Sequence, residues 1–218
     1  MNRPTAVIFD FDGVIADTEP VSFEVYCALL KRYGKALTID EYRTEFCGKT
    51  EKRNQRYLVE RFGLPITPEE SCRDYHDIEK GLFADGVSLK PEVDETLERL
   101  EQAGIRLAVA SSSTKSRAIE ILAQNGIDAD RWFETMVFAE DISRPKPAPD
   151  VFAEAARRLG VDPAQALVVE DSEAGIEAAQ AASIPVVCVP DMKEPDESHQ
   201  ALCAAVLPSL QALANELL

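Results

Sequence analysis

Residues 5–20 read TAVIFDFDGVIADTEP, a short apolar run that leads straight into three aspartates and a glycine. The four apolar residues 6–9 are typical of a strand that is buried on both faces of a parallel sheet. Asp10 and Asp12 are one residue apart at the end of this run, so in extended backbone their side chains point the same way. Carboxylates this close repel each other unless a cation lies between them. We therefore expect a cation beside this pair.

The same apolar pattern recurs further along the chain, at 106–113, 135–141, 166–172 and 184–190. Helical patterns separate these runs, notably 91–103, with Pro91 expected in the first turn, and 149–160, which ends at Gly160. A last short strand and helix are expected in 204–218. Alternating strands and helices predict an α/β fold with a doubly wound parallel sheet.

Residues 18–88 do not follow this alternation, because they contain no comparable apolar run. They instead show four helical segments, at 20–33, 38–46, 50–62 and 68–82. We therefore predict a smaller all-helical domain at 18–88, inserted after the first strand, with 1–17 and 89–218 forming the catalytic core.

The charge of the chain restricts its partners. Thirty-nine acidic and 23 basic residues give a formal net charge of −16, which disfavours binding to nucleic acid or to anionic membranes. No run approaches the roughly 20 apolar residues of a membrane span, and the first nine residues are too short for a secretory signal. Five cysteines without a zinc or disulfide spacing indicate free thiols. These features predict a cytoplasmic protein.

Polar side chains suited to catalysis follow four of the predicted strands. In chain order they are Asp10 and Asp12, Ser111, Lys146, and Glu170 with Asp171. The carboxyl ends of parallel strands meet at one edge of a sheet, where ligands bind. Carboxylate oxygens suit a hard cation such as Mg²⁺, which is the cation that the opening stretch requires.

These residue types suit phosphoryl transfer. Asp10 can attack phosphorus to give an aspartyl-phosphate, and Asp12 can exchange protons with the leaving oxygen and with water. Ser111 can donate a hydrogen bond to the phosphoryl group, and Lys146 can supply a positive charge to it. Gly13 allows a tight turn that brings backbone N–H groups to the phosphate.

The segments DFDGVIADT, ASSS, KPAPD and EDSEAG resemble, in order and in strand context, the four motifs of the haloacid dehalogenase superfamily. The resemblance covers the whole chain, including a helical cap, and is strongest to sugar-phosphate phosphatases and β-phosphoglucomutase. It implies a nucleophile at Asp10, a general acid/base at Asp12, and phosphate binding by Ser111 and Lys146. The implied Mg²⁺ ligands are Asp10, the main-chain carbonyl of Asp12, Glu170 and Asp171. The dehalogenase branch lacks an acid two positions after the nucleophile, so Asp12 favours phosphoryl transfer.

Each motif alone has a structural explanation. An aspartate after a strand often forms a turn, Ser111 can cap the helix near Thr114, and Lys146 can be solvated in a loop stiffened by prolines. His76 and His199, the only histidines, are both expected to face solvent, which argues against Ser–His or Cys–His catalysis. The order of all four motifs at successive strand ends favours the catalytic interpretation.

The predicted cap bears on the substrate. CGKT at 47–50 resembles a cap loop that reaches the active site, although Gly48 can equally be a helix stop and Lys49 a solvated side chain. Cap closure on a hinge at 18–20 would exclude water. The predicted substrate-binding residues are Thr18, Glu19, Gly48, Lys49, Ser111, Ser112 and Lys146.

The predicted function is hydrolysis of a small phosphorylated metabolite, a sugar or polyol phosphate, by a Mg²⁺-dependent phosphatase. A phosphomutase is the alternative, but mutase relatives carry a histidine where this chain has Ser22, and serine cannot switch charge near neutral pH. A non-catalytic phosphate-binding relative is disfavoured because Asp10 and Asp12 are both present. The sequence does not predict an oligomeric state, and a monomer is compatible with it.

Overall fold

The computed structural model describes residues 3–84 and 86–218, and these form two compact units. The helical unit is Thr18–Val87, and the sheet unit combines Ser88–Leu218 with the segment that ends at Asp17. The helical unit begins at the predicted residue, Thr18, but ends at Val87, one residue before the predicted end. Ser88 belongs with the sheet unit because its carbonyl accepts a hydrogen bond of 2.9 Å from the Asp17 N–H.

The strands and helices are numbered in chain order across both units. The strands are β1 (Ala6–Phe9), β2 (Arg106–Ala110), β3 (Thr135–Val137), β4 (Ala166–Glu170), β5 (Val186–Cys188) and β6 (Ala205–Val206). The helices are α1 (Glu19–Lys31), α2 (Ile39–Glu45), α3 (Glu51–Phe62), α4 (Pro68–Ala84), α5 (Val93–Gln102), α6 (Lys115–Gln124), α7 (Ala129–Trp132), α8 (Asp150–Leu159), α9 (Glu173–Ala181), α10 (Glu197–Gln200) and α11 (Leu210–Leu217). Among the described residues, no helix is long and apolar enough to cross a membrane.

All pairings between neighbouring strands are parallel, and the sheet order is β3-β2-β1-β4-β5-β6, which confirms the predicted α/β class. The chain runs outward from β1 to β3 and then returns to β4, so the strand order reverses beside β1. Phe9 pairs with Val109 on one side and with Val169 on the other. The next residue, Asp10, is therefore level with Glu170, at the point where open α/β sheets bind ligands.

One face of the sheet is covered by α8 and α9. The predicted helical pattern at 149–160 forms α8, whose buried residues are Val151, Phe152, Ala155, Ala156 and Leu159. These side chains pack with Ile8, Ala108 and Val168 of the central strands in one core cluster. Full burial of a side chain such as Phe152 stabilises the fold by about 1.5–3 kcal/mol. A second group, Val93, Leu97 and Leu100, is buried on α5, which packs against β2 and α11.

The helical unit contains the helices α1 to α4, close to the four predicted segments. Local sequence explains where they begin: Thr38 and Glu41 form a reciprocal capping box before α2, and Thr50 caps α3 by accepting a hydrogen bond from the Arg53 N–H. Gly63 ends α3 in the left-handed conformation, with φ of +61°.

The core of the helical unit is aromatic. Tyr26 of α1 lies with its ring centroid 4.8 Å from that of Phe46 and 4.9 Å from that of Tyr75 on α4. Tyr42 stacks on Phe46 with their centroids 5.9 Å apart. Tilted and stacked pairs at these separations add to the stabilisation that burial gives. These contacts join α1, α2 and α4.

All four later runs are longer than the strands that they form: 166–172 ends as a strand at Glu170, and only Val186–Cys188 of 184–190 is a strand. The run 106–113 ends as a strand at Ala110, and the run 135–141 ends at Val137. Residues Ala139–Asp141 instead form a turn of 3₁₀ helix, in which the Asp141 carboxylate accepts a hydrogen bond of 3.0 Å from the Phe138 N–H. Local side-chain hydrogen bonds compete with the strand here.

Two predictions outside the strands are wrong. Pro91 lies before α5 and not in its first turn, because Glu92 takes a left-handed conformation with φ of +66° and the helix begins at Val93. His199 does not face solvent: its side chain is 16% exposed and its two ring nitrogens lie 2.7 Å from Asp196 and 3.0 Å from Glu177. His199 lies on the short helix α10, which these contacts hold in place.

Candidate active site

Lys146 joins two of the predicted acids at the carboxyl edge of the sheet. Its ammonium group lies 2.7 Å from Oδ1 of Asp10 and 2.7 Å from Oε1 of Glu170. The three side chains are nearly buried, with exposures of 8% for Lys146, 10% for Asp10 and 0% for Glu170. Moving or removing one of these side chains would leave an uncompensated charge buried in the protein. The three charged groups therefore hold each other in place.

The loop after β3 brings Lys146 to this position. The Ala148 N–H donates a hydrogen bond of 3.0 Å to the Pro145 carbonyl and closes a turn around the lysine. The ammonium nitrogen lies 4.6 Å from the ring centroid of Phe152, a buried side chain of α8. A cation over an aromatic face is attracted to it, so Phe152 of α8 helps to hold the ammonium group in place.

Glu170 is oriented by the start of α9. Its Oε2 accepts hydrogen bonds from the N–H groups of Asp171 at 2.8 Å and Ser172 at 2.7 Å, and from the Ser172 hydroxyl at 2.9 Å. The same hydroxyl caps α9 by accepting from the Gly175 N–H. With Oε2 held in this way, Oε1 faces Lys146.

Two glycines allow the acids to approach the backbone. A Cβ atom on Gly175 would lie 1.7 Å from Oε1 of Glu170, so the absence of a side chain at Gly175 permits this close approach. A Cβ atom on Gly13 would lie 2.4 Å from Oδ2 of Asp171, and Gly13 also has a φ of +78°. Larger residues at either position would displace an acid.

Asp10, Glu170 and Asp171 converge closely enough to hold a metal ion: one carboxylate oxygen of each lies within 4.8 Å of the other two. Burial raises the pKa of Asp10 to about 7, and Glu170 and Asp12 add to this effect, while Lys146 opposes it. Burial also disfavours the charged form of Lys146, but Asp10 and Glu170 keep its pKa above the usual range. One lysine against three carboxylates leaves an excess of negative charge, and an all-oxygen donor set of this kind fits a hard divalent cation.

Ser111 lies directly after β2 and is almost fully buried, at 1% exposure. Its N–H donates a hydrogen bond of 3.0 Å to the Val137 carbonyl, and its hydroxyl oxygen accepts one of 3.0 Å from the Ser113 N–H. The neighbouring Ser112 is exposed. The backbone of the turn therefore fixes Ser111 at the edge of the sheet that carries Asp10.

Asp12 makes contacts that sequence reasoning missed. One carboxylate oxygen accepts a hydrogen bond of 2.5 Å from the Ser113 hydroxyl, and the other lies 3.0 Å from the guanidinium of Arg117. Arg117 also donates to the Ser113 hydroxyl at 2.6 Å. These three side chains form one network that holds the Asp12 carboxylate. Nothing in the sequence distinguished Arg117 from the other arginines on helix surfaces.

Thr18 and Glu19, two predicted substrate-binding residues, lie at the start of α1 in the helical unit. Thr18 is buried, at 3% exposure, and its carbonyl accepts a hydrogen bond of 3.0 Å from the Ser22 N–H. The Glu19 carboxylate accepts hydrogen bonds from the Tyr42 hydroxyl and, at 3.3 Å, from the Cys47 thiol. Tyr42 and Cys47 therefore orient Glu19 within its own unit.

Gly48 and Lys49, also predicted to bind substrate, form the turn between α2 and α3. Gly48 has a φ of +69°, and the Lys49 N–H donates a hydrogen bond of 3.2 Å to the Phe46 carbonyl. Lys49 is exposed. The predicted site residues are thus divided between the two units, with the acids, Ser111, Ser112 and Lys146 on the sheet unit.

Comparisons with known proteins identify a hydrolase family and phosphatase relatives. A family profile described as haloacid dehalogenase-like hydrolase matches residues 7–189. A phosphorylated carbohydrates phosphatase of Thermotoga maritima is 36% identical over 179 residues, covering 82% of each chain. The fructose-1-phosphate phosphatase of Escherichia coli is 31% identical over 187 residues, covering 86% of this chain and 97% of the relative.

A solved structure extends the similarity to the whole fold. A Thermotoga maritima protein named as a candidate β-phosphoglucomutase superposes with a TM-score of 0.78 at 32% identity, covering 100% of this chain and 98% of the other. Phosphatases of the matched family generally use a divalent metal. The convergence of Asp10, Glu170 and Asp171 is compatible with this requirement.

Proposed function

The chain belongs to the haloacid dehalogenase-like hydrolase family, and we propose that it is a Mg²⁺-dependent phosphatase of small phosphorylated metabolites. Family membership and its phosphatase relatives make it a phosphoric monoester hydrolase. The names of those relatives favour sugar or polyol phosphates as substrates. The observation that carries the proposal is the buried contact of Lys146 with both Asp10 and Glu170, beside Asp171.

Asp10 is the proposed nucleophile. One of its carboxylate oxygens attacks phosphorus, so that an Oδ–P bond forms while the bond from phosphorus to the leaving oxygen breaks. Asp12 donates a proton to the leaving oxygen. In the second step water attacks phosphorus, Asp12 accepts the proton of this water, and the Oδ–P bond breaks. Phosphate leaves and Asp10 returns to its carboxylate form.

Lys146 and Ser111 are proposed to bind the phosphoryl group, with Ser112 beside them. The lysine is already held by two carboxylates, so it need not be ordered when substrate arrives, and preorganised charge of this kind lowers the barrier most. Mg²⁺, held by Asp10, Glu170, Asp171 and the main-chain carbonyl of Asp12, would offset the phosphoryl charge and keep Asp10 ionised.

The helical unit is proposed to act as a cap that selects the substrate. Thr18 and Glu19 begin this unit, and Lys49 is an exposed cation in the turn that follows Gly48. A phosphorylated sugar offers hydroxyl groups that the Glu19 carboxylate can accept from, and an anionic group that Lys49 can attract. The proposed partner is therefore a small anionic metabolite, and the net charge of −16 disfavours nucleic acid.

The test is a screen of phosphate release from phosphorylated sugars, polyols and nucleotides in the presence of Mg²⁺. Release from sugar or polyol phosphates, and its loss in Asp10→Asn, would support the proposal. Folded protein that releases no phosphate from any of these compounds would contradict it. The mutase alternative, which Ser22 disfavours, is tested with β-glucose 1-phosphate and a trace of bisphosphate. If glucose 6-phosphate forms faster than free phosphate, the protein is a mutase and the proposed hydrolysis is wrong.

A further inference from the structure

A second cluster of metal-ligating side chains lies in the helical unit and has no part in the proposed reaction. Glu51 is the first residue of α3, and Cys72 and His76 lie on α4. The Cys72 sulfur lies 2.8 Å from Oε1 of Glu51, and Nε2 of His76 lies 2.9 Å from the same oxygen. One donor atom from each residue lies within 4.8 Å of the other two.

The secondary structure explains why these side chains meet. Cys72 and His76 are four residues apart on α4, so they project from the same face of the helix. The helix α3 packs against α4. Thr50 caps the start of α3, which fixes the backbone of Glu51 in the first turn. Twenty residues lie between Glu51 and Cys72, and the cluster contains only one cysteine. It therefore has none of the close cysteine spacings by which metal sites are found in a sequence.

Glu79 orients the histidine ring. Its Oε2 lies 3.3 Å from Nδ1 of His76, on the opposite side of the ring from Glu51. A carboxylate on one ring nitrogen fixes the tautomer and leaves the other nitrogen as a ligand, an arrangement that accompanies most metal-binding histidines. Nε2 of His76 is therefore directed at the cluster.

We propose that Glu51, Cys72 and His76 bind a divalent transition-metal ion, with Zn²⁺ as the best fit. A donor set of one sulfur, one nitrogen and one oxygen suits Zn²⁺ and not Mg²⁺ or Ca²⁺, which take oxygen ligands. Tetrahedral bonds of ordinary length place the ligand atoms roughly 3.3–3.6 Å apart. The Glu51 oxygen would need to retreat by less than about 1 Å from its present contacts.

The remaining coordination position would be open to water. The side chains of Glu51 and His76 are 42% and 53% exposed, so an ion can enter from solvent. On binding, the Cys72 S–H bond breaks, its proton leaves to solvent, and the thiolate bonds to the metal. The ion would then link the start of α3 to α4 and stabilise the helical unit.

Cobalt titration of the intact protein tests this site. Co²⁺ replaces Zn²⁺ with similar ligands, and a thiolate ligand gives a sulfur-to-cobalt charge-transfer band that the all-oxygen cluster of Asp10, Glu170 and Asp171 cannot give. The titration is run with excess Mg²⁺, and Zn²⁺ is then added to displace Co²⁺. We expect one Co²⁺ per chain with this band, and loss of the band when Zn²⁺ is added.

Matched variants assign the ligands. Cys72→Ser should abolish the band, and His76→Ala should abolish it or weaken binding strongly. Glu79→Gln should weaken Co²⁺ binding by roughly 10-fold, because Glu79 orients the His76 ring and does not contact the ion itself. Cys27→Ser is the control: its thiol also lies in the helical unit, 3.8 Å from the Leu37 carbonyl, and its loss should leave the titration unchanged.

Two results would overturn the proposal. One is wild-type protein that shows no charge-transfer band at Co²⁺ concentrations well above that of the protein. The other is a band that persists in Cys72→Ser or disappears in Cys27→Ser. Circular dichroism of each metal-free variant shows whether it is folded. Phosphate release is not part of this test, so its outcome is independent of the proposed phosphatase activity.

Discussion

The surroundings of Lys146 differ sharply from those of an ordinary surface lysine. Its ammonium group touches two buried carboxylates, whereas Lys49 lies exposed in a turn. Lys146→Ala should therefore lower kcat by roughly 100- to 1,000-fold, as loss of one preorganised charge does. Lys49→Ala should mainly raise KM. Steady-state kinetics of both variants check this, and a larger loss of kcat in Lys49→Ala would mean that the two roles are misassigned.

Asp10 gives a pH-dependent prediction. Its pKa is raised from 3.8 to about 7, first by burial, so between these values the folded metal-free protein holds a proton that the unfolded chain lacks. The free energy of unfolding of metal-free protein should then fall as pH rises through this window. Mg²⁺ binds the ionised carboxylate, so its stabilising effect should be larger at about pH 8 than at about pH 6.

Thermal unfolding with and without Mg²⁺ at both pH values measures this effect. Asp10→Asn is the control, since it keeps the shape of the side chain and removes the ionisable group. The same Mg²⁺-induced change in Tm at both pH values in the wild type would contradict the assignment of Asp10 as a metal ligand.

Arg117 holds the Asp12 carboxylate together with Ser113, and we expect it to act by positioning. Arg117→Ala should lower kcat with little change in KM, because Asp12 would lose its orientation while the phosphate-binding groups stay in place. Arg117→Lys should restore part of kcat. Arg99→Ala on α5 is the control. A rise in KM alone, or no rescue by lysine, would contradict a positioning role.

At the scale of helices and strands, Gly175 couples α9 to the site. A Cβ atom there would lie 1.7 Å from Glu170, whose carboxylate is buried. Gly175→Ala should destabilise the protein by about 1–3 kcal/mol, as overpacking does, and weaken Mg²⁺ binding. Gly81→Ala on α4 is the matched control: apart from its chain neighbours and the backbone of its own helix, no atom lies within 4 Å of the added Cβ, so the change should stabilise the protein slightly. Chemical denaturation compares the two, and equal effects would contradict the close packing.

The sequence predicted most of these elements because their signals are local. Apolar runs predicted the central strands, and the helical pattern at 149–160 predicted α8. The ends of elements were less predictable, because Glu92 and Asp141 set them through a left-handed backbone and a side-chain hydrogen bond. Neither residue type specifies such a conformation by itself.

At the scale of the whole molecule, the topology of the sheet decides which groups of side chains can be predicted to meet. Parallel strands in register place Asp10 level with Glu170 wherever the intervening loops go, so the acid cluster followed from the strand ends alone. The contacts of Asp12 with Arg117, and of Glu51 with Cys72 and His76, depend on how helices are turned and packed. Such contacts join residues that no short motif links, so no sequence pattern indicates them.

The proposed mechanism requires that the phosphoryl group form a covalent bond to Asp10. Acid quenching of the protein during turnover of a sugar phosphate, followed by peptide mass spectrometry, tests this most directly. We expect one phosphoryl group on the peptide that contains Asp10, formed only when Mg²⁺ is present and absent in Asp10→Asn. A phosphoryl group on another residue, or undiminished turnover by Asp10→Asn, would contradict it.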